Sequence, residues 1–289
     1  MANTFISIKE IARQALPRLI ENLVFPNLVH KDFSNDFEVG KGATIQIRKP
    51  VTLTASEFSG SVTAQDVAES TVEVTLNKLA TVDVAFGAIE RATSVDDVNR
   101  LFIEPAAVAL AEKINNDGLA LLKEITAFAN VDSMSLEPFS VGAMVLNKAK
   151  VPMSPRYGVW SPDAEADFRT IPAIVNAEKS GSTAALRTGA IGNVFGIQNY
   201  MAQGVDSDSM LGCVFHPFAF AFVTRPLQQP SGVESYTTSY NGITLRVTKG
   251  YDMKTKTEML SMDVLYGYKT LDKNLAVKLT GGVGGGLGG

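Results

Sequence analysis

A long hairpin with little of its own to bury is the feature that most limits how this chain folds. Residues 40–50 read GKGATIQIRKP, and residues 71–86 read TVEVTLNKLATVDVAF. Each segment alternates apolar and polar residues, with Ile45 and Ile47 on one side of the first strand. The sequence that links them, TLTASEFSGSVTAQDVAES, is rich in Ser, Thr and Ala. Long loops are uncommon inside compact domains and are usually functional or interaction segments, so the sequence predicts a hairpin that its own core does not hold.

Composition excludes several classes of protein. The chain has 289 residues, of which 45% are hydrophobic and 19% charged, as is typical of a globular protein with a core. A formal charge of −4 shows no basic excess, which argues against a protein that grips nucleic acid. The single cysteine, Cys213, excludes an internal disulfide and is typical of a reducing cytosol. No apolar run reaches the roughly 18 residues of a membrane span, so a soluble intracellular protein is expected.

The first half of the chain also contains an arm and a long helix. In residues 1–39 apolar side chains recur at helical spacing, but Pro17 interrupts them and Pro26 ends the pattern. This arm is too short to form a domain, so it must lie either on the body or on another copy of the chain. A second helical pattern, VNRLFIEPAAVALAEKINNDGLALLKEI, contains Pro105, which would either kink the helix or restart it at a first-turn position. From Pro105 to Phe128 this helix would be roughly 36 Å long at about 1.5 Å per residue.

Residues 137–240 predict a mixed layer of helices and strands. FSVGAMVLNKAKVP reads as a helix, RYGVWSP as a short strand, and DAEADFRTIPAIVNA as a helix that contains a proline. GAIGNVFGIQNYMAQGV predicts a turn followed by a strand, and GCVFHPFAFAFV predicts either a small helix or a buried run. Three strand-like runs follow in residues 241–280, and the chain ends in the Gly-rich sequence TGGVGGGLGG.

Candidates for chemistry are few. His30 and His216 have no partner at ligand spacing, and Cys213 lies in an apolar run that is typical of a packing residue. Asp163 and Asp167 would share a helix face, but they follow a proline at a predicted helix start, where carboxylates favour the free amides. The chain has no GxGxxG, phosphate-loop or GxSxG spacing. The residues therefore predict no catalytic site, no cofactor, no metal site and no basic stripe for nucleic acid.

The order of these elements resembles the major capsid (coat) protein of tailed bacteriophages, which has the Hong Kong 97-type fold that encapsulin shells also use. GATIQIRKP and TVEVTLNKLATVDVAFG are similar to the two strands of the extended loop, and VNRLFIEPAAVALAEKINNDGLALL to the spine helix. VLNKAKVPMSPRYGVWSPDAEADFR resembles the opening of the axial domain, and ITLRVTKGYDMKTKTEMLSMDVLYGYKTLDKNLAVKL the closing strands of the peripheral domain. Within the family, the chain resembles most the coat proteins of short-tailed phages.

The resemblance implies an α+β fold in which the hairpin lies across a neighbouring subunit. The implied parts are an N-terminal arm (1–39), an extended hairpin loop (40–87), a peripheral domain with the spine helix (88–136), an axial domain (137–240), further peripheral strands (241–280) and a Gly-rich tail (281–289). The residues expected to contact neighbouring subunits are Phe5, Ile8, Ile11, Ile45, Ile47, Arg48, Lys49, Phe58, Val72, Glu73 and Val74.

The implied function is that of a shell subunit and not of an enzyme. Copies would form the pentamers and hexamers of an icosahedral or elongated head around double-stranded DNA, and the spine helix and extended loop would shift during procapsid maturation. Assembly is expected in the bacterial cytoplasm, and the final location is the virion. The implied partners are a scaffolding protein, a portal and a possible decoration protein, with no membrane. Two alternatives stay open: an encapsulin-like compartment around cargo protein, and an enzyme with its site in residues 137–240.

Overall fold

Helices and mostly antiparallel strands occur in separate runs along the chain, as in an α+β fold, and the described strands form three sheets. The structure, a computed structural model, describes residues 8–31, 44–48, 55, 57, 71–86, 103–131, 135–175, 191–208, 210–253 and 257–281. The described α-helices are α1 (Ile8–Asn22), α2 (Phe25–Leu28), α3 (Glu104–Leu119), α4 (Glu137–Lys148), α5 (Pro162–Phe168) and α6 (Pro172–Val175). The described strands are β1 (Thr44–Arg48), β2 (Thr71–Thr75), β3 (Lys78–Phe86), β4 (Phe128–Val131), β5 (Tyr157–Trp160), β6 (Asn193–Val194), β7 (Ile197–Met201), β8 (Gly212–Phe215), β9 (Phe220–Arg225), β10 (Glu234–Tyr240), β11 (Ile243–Asp252), β12 (Thr257–Thr270) and β13 (Ala276–Gly281).

A five-stranded antiparallel sheet carries the first core. Its order is β10-β11-β12-β3, and β9 also pairs with β12, on the edge opposite β3 and beside the start of β11. Apolar and polar residues alternate along these strands, so one face presents Leu245, Met262 and Val264 to the core that α1 and α3 cover. On the opposite face Arg246 donates to Asp263 from Nε at 3.0 Å and from Nη2 at 2.6 Å. The alternation fixes the register, because a shift by one residue would bury this ion pair in the core.

A six-stranded mixed sheet, of order β4-β13-β8-β5-β7-β6, carries the second core. β13 is parallel to β4 and β5 is parallel to β7, while the other neighbours are antiparallel. Phe139 of α4, Trp160 of β5 and Phe168 of α5 pack together with ring centroids 4.6–5.0 Å apart. α5 begins where the sequence predicted, because the Ser161 side chain caps its first turn.

The described part of the N-terminal arm, residues 8–31, lies on the body of its own chain. α1 continues through Pro17, so the expectation that this proline interrupts the helix is wrong. The buried side chains of α1, among them Ala12, Leu16 and Leu19, belong to the first core, and the helix contacts α3, β10 and β11. This packing offsets the backbone hydrogen bond that a proline removes from the interior of a helix.

The spine helix is shorter than the apolar pattern predicted. α3 has Pro105 in its first turn, as expected, but ends at Leu119, so at about 1.5 Å per residue it is about 24 Å long instead of about 36 Å. A 3-10 helix, Ala120–Glu124, follows, and then β4. Near the end of α3, a Cβ added to Gly118 would overlap the ring of Phe25. The close approach to α2 therefore requires a glycine, whose low helix propensity favours the end of the helix.

Proline also divides two other segments. The predicted helix DAEADFRTIPAIVNA is split into α5 and α6 ahead of Pro172, and GCVFHPFAFAFV forms β8 and β9 with a 3-10 turn, Pro217–Ala219, between them. The chain crosses from the six-stranded to the five-stranded sheet at that turn. β10 belongs to the five-stranded sheet although it lies in the predicted axial range 137–240. β13 belongs to the six-stranded sheet although it lies in the predicted peripheral range 241–280. Whether those ranges behave as units stays a prediction.

Candidate assembly surfaces

The base of the long hairpin is held by the chain's own core. β1 and β2 pair along their whole length as a separate two-stranded antiparallel sheet. On one side, Ile47 and Val74 pack with Ala221 and Val223 of β9 in a third apolar cluster. The expectation that the core leaves the hairpin unsupported is therefore wrong for its base. Most of the loop beyond the base, residues 49–70, lies outside the described residues.

The other side of the hairpin base is polar and exposed. Gln46 Nε2 donates to Glu73 Oε1 across the two strands at 3.3 Å, and the hydroxyls of Thr44 and Thr75 lie 3.3 Å apart. Exposed cross-strand pairs of this kind contribute little to stability, because water competes for the same groups. This side is therefore free to exchange its contacts with water for contacts with a neighbouring molecule.

The predicted contact residues fall into three groups. Four are buried in the cores of their own chain and present little surface to a neighbour: Ile8, Ile11, Ile47 and Val74. Two lie on the hairpin base, the first half-buried and the second exposed: Val72 and Glu73. The side chains of the others lie outside the described residues: Phe5, Ile45, Arg48, Lys49 and Phe58. A single chain tests no contact with a neighbour, so these contacts stay predictions, as does any contact of the Gly-rich tail after Gly281.

The hairpin leaves the body where it crosses β12. This strand pairs with β3 as far as Tyr266, which lies opposite Lys78, and with β9 from Leu265 onward. The chain that joins β2 to β3 passes over β12 at Gly267, where an added Cβ would overlap the carbonyl oxygen of Thr75. Glycine is therefore needed at this position, because any side chain would force the two backbones apart.

Asp117 of α3 contacts both strands at this crossing. Its Oδ2 accepts a hydrogen bond from the Tyr266 hydroxyl at 2.5 Å and lies 3.4 Å from Lys78 Nζ, while its Oδ1 accepts from Lys113 Nζ at 3.1 Å. Burial by itself would raise the pKa of Asp117, but the hydrogen bonds from Tyr266 and Lys113 and the charges of the two lysines together lower this pKa. Burial raises the pKa of Tyr266, and the neighbouring carboxylate raises it further. The cluster therefore holds a charged Asp117 beside a neutral tyrosine.

The sequence did not predict an exposed apolar surface beside α4, at the edge of the six-stranded sheet. Phe195, 58% exposed, lies in the two-residue turn between β6 and β7 and faces a groove beside α4 that also contains Met144, 44% exposed. Both turn residues, Phe195 and Gly196, have positive φ angles, 51° and 78°. A phenylalanine with a positive φ is uncommon. In this turn the backbone conformation comes together with an exposed side chain. The only signal for this surface in the sequence is the dipeptide Phe-Gly in a predicted turn. We name the surface around Met144 and Phe195 the α4 groove.

The cysteine and one of the histidines that were considered for chemistry, Cys213 and His216, are buried in the packed interior of the chain. Cys213 is fully buried, and burial raises the pKa of its thiol to about 12. His216 is buried and accepts the Phe218 amide at Nδ1, and burial together with the charge of Arg156 lowers its pKa. Across the part of the chain that the structure describes, no three His, Cys, Asp or Glu side chains are grouped to hold a metal ion. None of the described helices is long and apolar enough to cross a membrane.

Comparisons with known proteins give structural matches alone. The sequence matches no protein-family model and no curated protein at a significant level. A chain from Mycobacterium phage Che8 superposes with a TM-score of 0.65 at 19% identity, covering 89% of this chain and 91% of that chain. The capsid structure of the cyanophage P-SCSP1u gives 0.61 at 13% identity, with coverages of 84% and 85%. A virus-like particle from Pyrococcus furiosus gives 0.54 at 10% identity, with coverages of 94% and 98%. The chain therefore has the α+β fold of the Hong Kong 97-type capsid proteins of tailed bacteriophages, as the sequence predicted.

Proposed function

We propose that this chain is the major capsid subunit of a tailed bacteriophage and has no enzymatic role. Copies assemble as pentamers and hexamers into an icosahedral or elongated head that encloses double-stranded DNA. The observation that carries this proposal is the β1–β2 hairpin, which forms a sheet of its own on a body with the capsid fold. A separate two-stranded ribbon is only marginally stable alone in water. Its long loop gains a partner when a neighbouring copy covers it.

Exposed surface on both lobes supports assembly with further copies. The α4 groove presents Met144 and Phe195 to solvent, and the polar side of the hairpin base presents Glu73. Val72, on the other side, packs on the third cluster of its own chain and keeps only part of its surface exposed. Specific interfaces bury about 1,600 Å² in total, and apolar side chains at their centres supply most of the stabilisation. We propose that Val72 and Glu73 contact a neighbouring subunit. Arg48, Lys49 and Phe58, which were also predicted, would contact it from the loop.

The partners and location follow from the same proposal. A scaffolding protein would guide assembly of the head, a portal would occupy one vertex, and a decoration protein is an optional addition. The negative net charge of the chain suits a container that does not grip its contents, so the proposed head encloses DNA without sequence-specific binding. The location is then the virion, after assembly in the bacterial cytoplasm.

A shell around protein cargo is the second candidate. It is favoured by the virus-like particle from Pyrococcus furiosus, whose chain is covered to 98%. The two candidates differ in what the shell encloses and not in how the subunits assemble. An enzyme with its site in residues 137–240 is a third possibility, but no described observation favours it.

The test is the assembly state of the purified full-length chain, expressed alone and with the products of neighbouring genes. Analytical ultracentrifugation is expected to show particles far larger than any small oligomer. A variant in which a short Gly-Ser link replaces residues 51–69 keeps β1 and β2 and serves as the comparison, because it is expected to fold without forming shells. Nuclease-protected DNA inside the particles indicates a phage head, and protein cargo indicates a compartment. A chain that stays a monomer or dimer in every condition contradicts both.

A further inference from the structure

Three consecutive residues of β12 contact the spine helix on one face and the hairpin on the other. Side chains alternate between the two faces of a strand, so Tyr266 and Tyr268 point to one face, and Gly267 leaves the other face without a side chain. The backbone from Thr75 to Leu76, which leads out of the hairpin, passes directly over Gly267. Helix α3 lies against the two tyrosines. A displacement of α3 or of the hairpin would therefore change the contacts of the same three residues of β12.

The helix is fixed to this segment by two hydroxyl groups. Tyr266 donates to Asp117 Oδ2 at 2.5 Å, and Tyr268 donates to the backbone carbonyl of Ile114 at 3.1 Å. A Cβ added to Gly118 would lie 2.9 Å from the ring of Tyr268, so the helix backbone approaches the strand as closely as a glycine allows. The last turns of α3 are therefore held at a defined position on β12.

Lys78 connects the hairpin to the same carboxylate. It is the first residue of β3, three positions after the end of β2, and its Nζ lies 3.4 Å from Asp117 Oδ2. The same oxygen accepts the Tyr266 hydroxyl, so one atom of the helix receives groups from both strands at the crossing. The Asp117 side chain is 17% exposed and that of Lys78 is 40% exposed, so the pair is partly shielded from water. Shielding of this kind strengthens an ion pair relative to one on the open surface.

We propose that Asp117 couples α3 to the hairpin, so that the position of the helix sets the direction in which β1 and β2 leave the body. Gly267 limits the approach of the hairpin from one face of β12, and the Asp117–Lys78 pair restrains it from the other. The bend between β2 and β3 is held between these two contacts. The coupling is a property of contacts within one chain, so its failure would leave the proposed shell function untouched.

The test compares three variants of the full-length chain: Lys78→Gln, Asp117→Asn and Lys113→Gln. Lys113 is the matched control, because it also contacts Asp117 but belongs to the same helix and is 63% exposed. Hydrogen exchange of the peptide that covers β2 is measured by mass spectrometry. Loss of the coupling is expected to raise its exchange about two- to fivefold in Lys78→Gln and Asp117→Asn, the range for a partly exposed ion pair. Lys113→Gln is expected to leave it unchanged.

The double variant Lys78→Gln/Asp117→Asn separates coupling from general loosening. If the two residues act through one contact, the double variant exchanges no faster than the faster single variant. Peptides from β5 and β8, in the other sheet, report on global stability. Unchanged exchange of β2 in Lys78→Gln, an equal rise in Lys113→Gln, or a rise that extends to β5 and β8 would each overturn the proposal. Lys78 is sufficiently exposed for its substitution to preserve folding, so it decides the question even if Asp117→Asn is unstable.

Discussion

Substitution of Gly267 by alanine is expected to destabilise the chain by about 1–3 kcal/mol, the usual cost of added volume in a closely packed site. The added Cβ would overlap the Thr75 carbonyl oxygen and would lie 3.0 Å from its carbonyl carbon and 3.2 Å from Leu76 Cα. All three are backbone atoms, so a rotamer change cannot relieve the contact. The two backbones must separate, and this loosens the packing of Val74 and Leu76 in the third cluster.

Gly250 provides the matched control in the same sheet. It lies in β11 opposite Met259, and a Cβ added there would meet nothing within 4 Å. Gly250→Ala is therefore expected to be neutral or to stabilise by about 0.5 kcal/mol, because alanine has fewer unfolded conformations than glycine. The free energies of unfolding come from urea titration of the unassembled chain, followed by circular dichroism and by the fluorescence of Trp160, the single tryptophan. Equal stabilities for the two variants would refute the crossing at Gly267.

Two further predictions concern the turn between α1 and α2 and the turn between β8 and β9. Asn115→Ala is expected to destabilise the chain by about 1–3 kcal/mol, because the amides of Val24 and Phe25 lose the side-chain oxygen that accepts them at 3.0 and 3.3 Å; thermal unfolding measures this, and a loss below about 0.5 kcal/mol would contradict it. His216 has a folded-state pKa below its ordinary value of 6.5, owing to burial and to Arg156, so the unfolded chain binds more protons and stability falls as the pH drops below about 6.5. His216→Asn, which keeps a capping acceptor, should flatten the profile between pH 7.5 and 5.5; an unchanged profile would contradict the assignment.

Local patterns in the sequence identified most of the elements. The alternation around Ile47 and Val74 predicted β1 and β2, and Pro162 with the carboxylates after it predicted the start of α5. Two of the differences from the predicted pattern arise from tertiary contacts, whereas prolines divide two other predicted segments locally. α1 continues through Pro17 because its apolar face packs on α3 and the first sheet, and the close approach of α2 requires Gly118, a weak helix former, near the end of α3.

The crossing of hairpin, strand and helix was not predictable from the sequence. Lys78, Asp117 and Tyr266 are far apart in the chain, and only the register of β3 on β12 and the position of α3 bring them together. Gly267 reads in the sequence as one more glycine in a strand, and Phe195 as one more apolar residue for the core. The exposure of Phe195 depends on a turn geometry that the pattern does not specify. Contacts between subunits depend on a second copy and stay predictions.

The central claim is that copies of this chain form a closed shell in which the hairpin lies across a neighbouring subunit. Electron cryomicroscopy of the assembled full-length chain tests this claim most directly, because it shows the symmetry of the particle and the course of the loop between β1 and β2. We expect closed shells built from pentamers and hexamers, with this loop over the adjacent copy. Closed shells whose loop folds back on its own subunit would contradict the role given to the hairpin, and the absence of shells under every condition would contradict the claim itself.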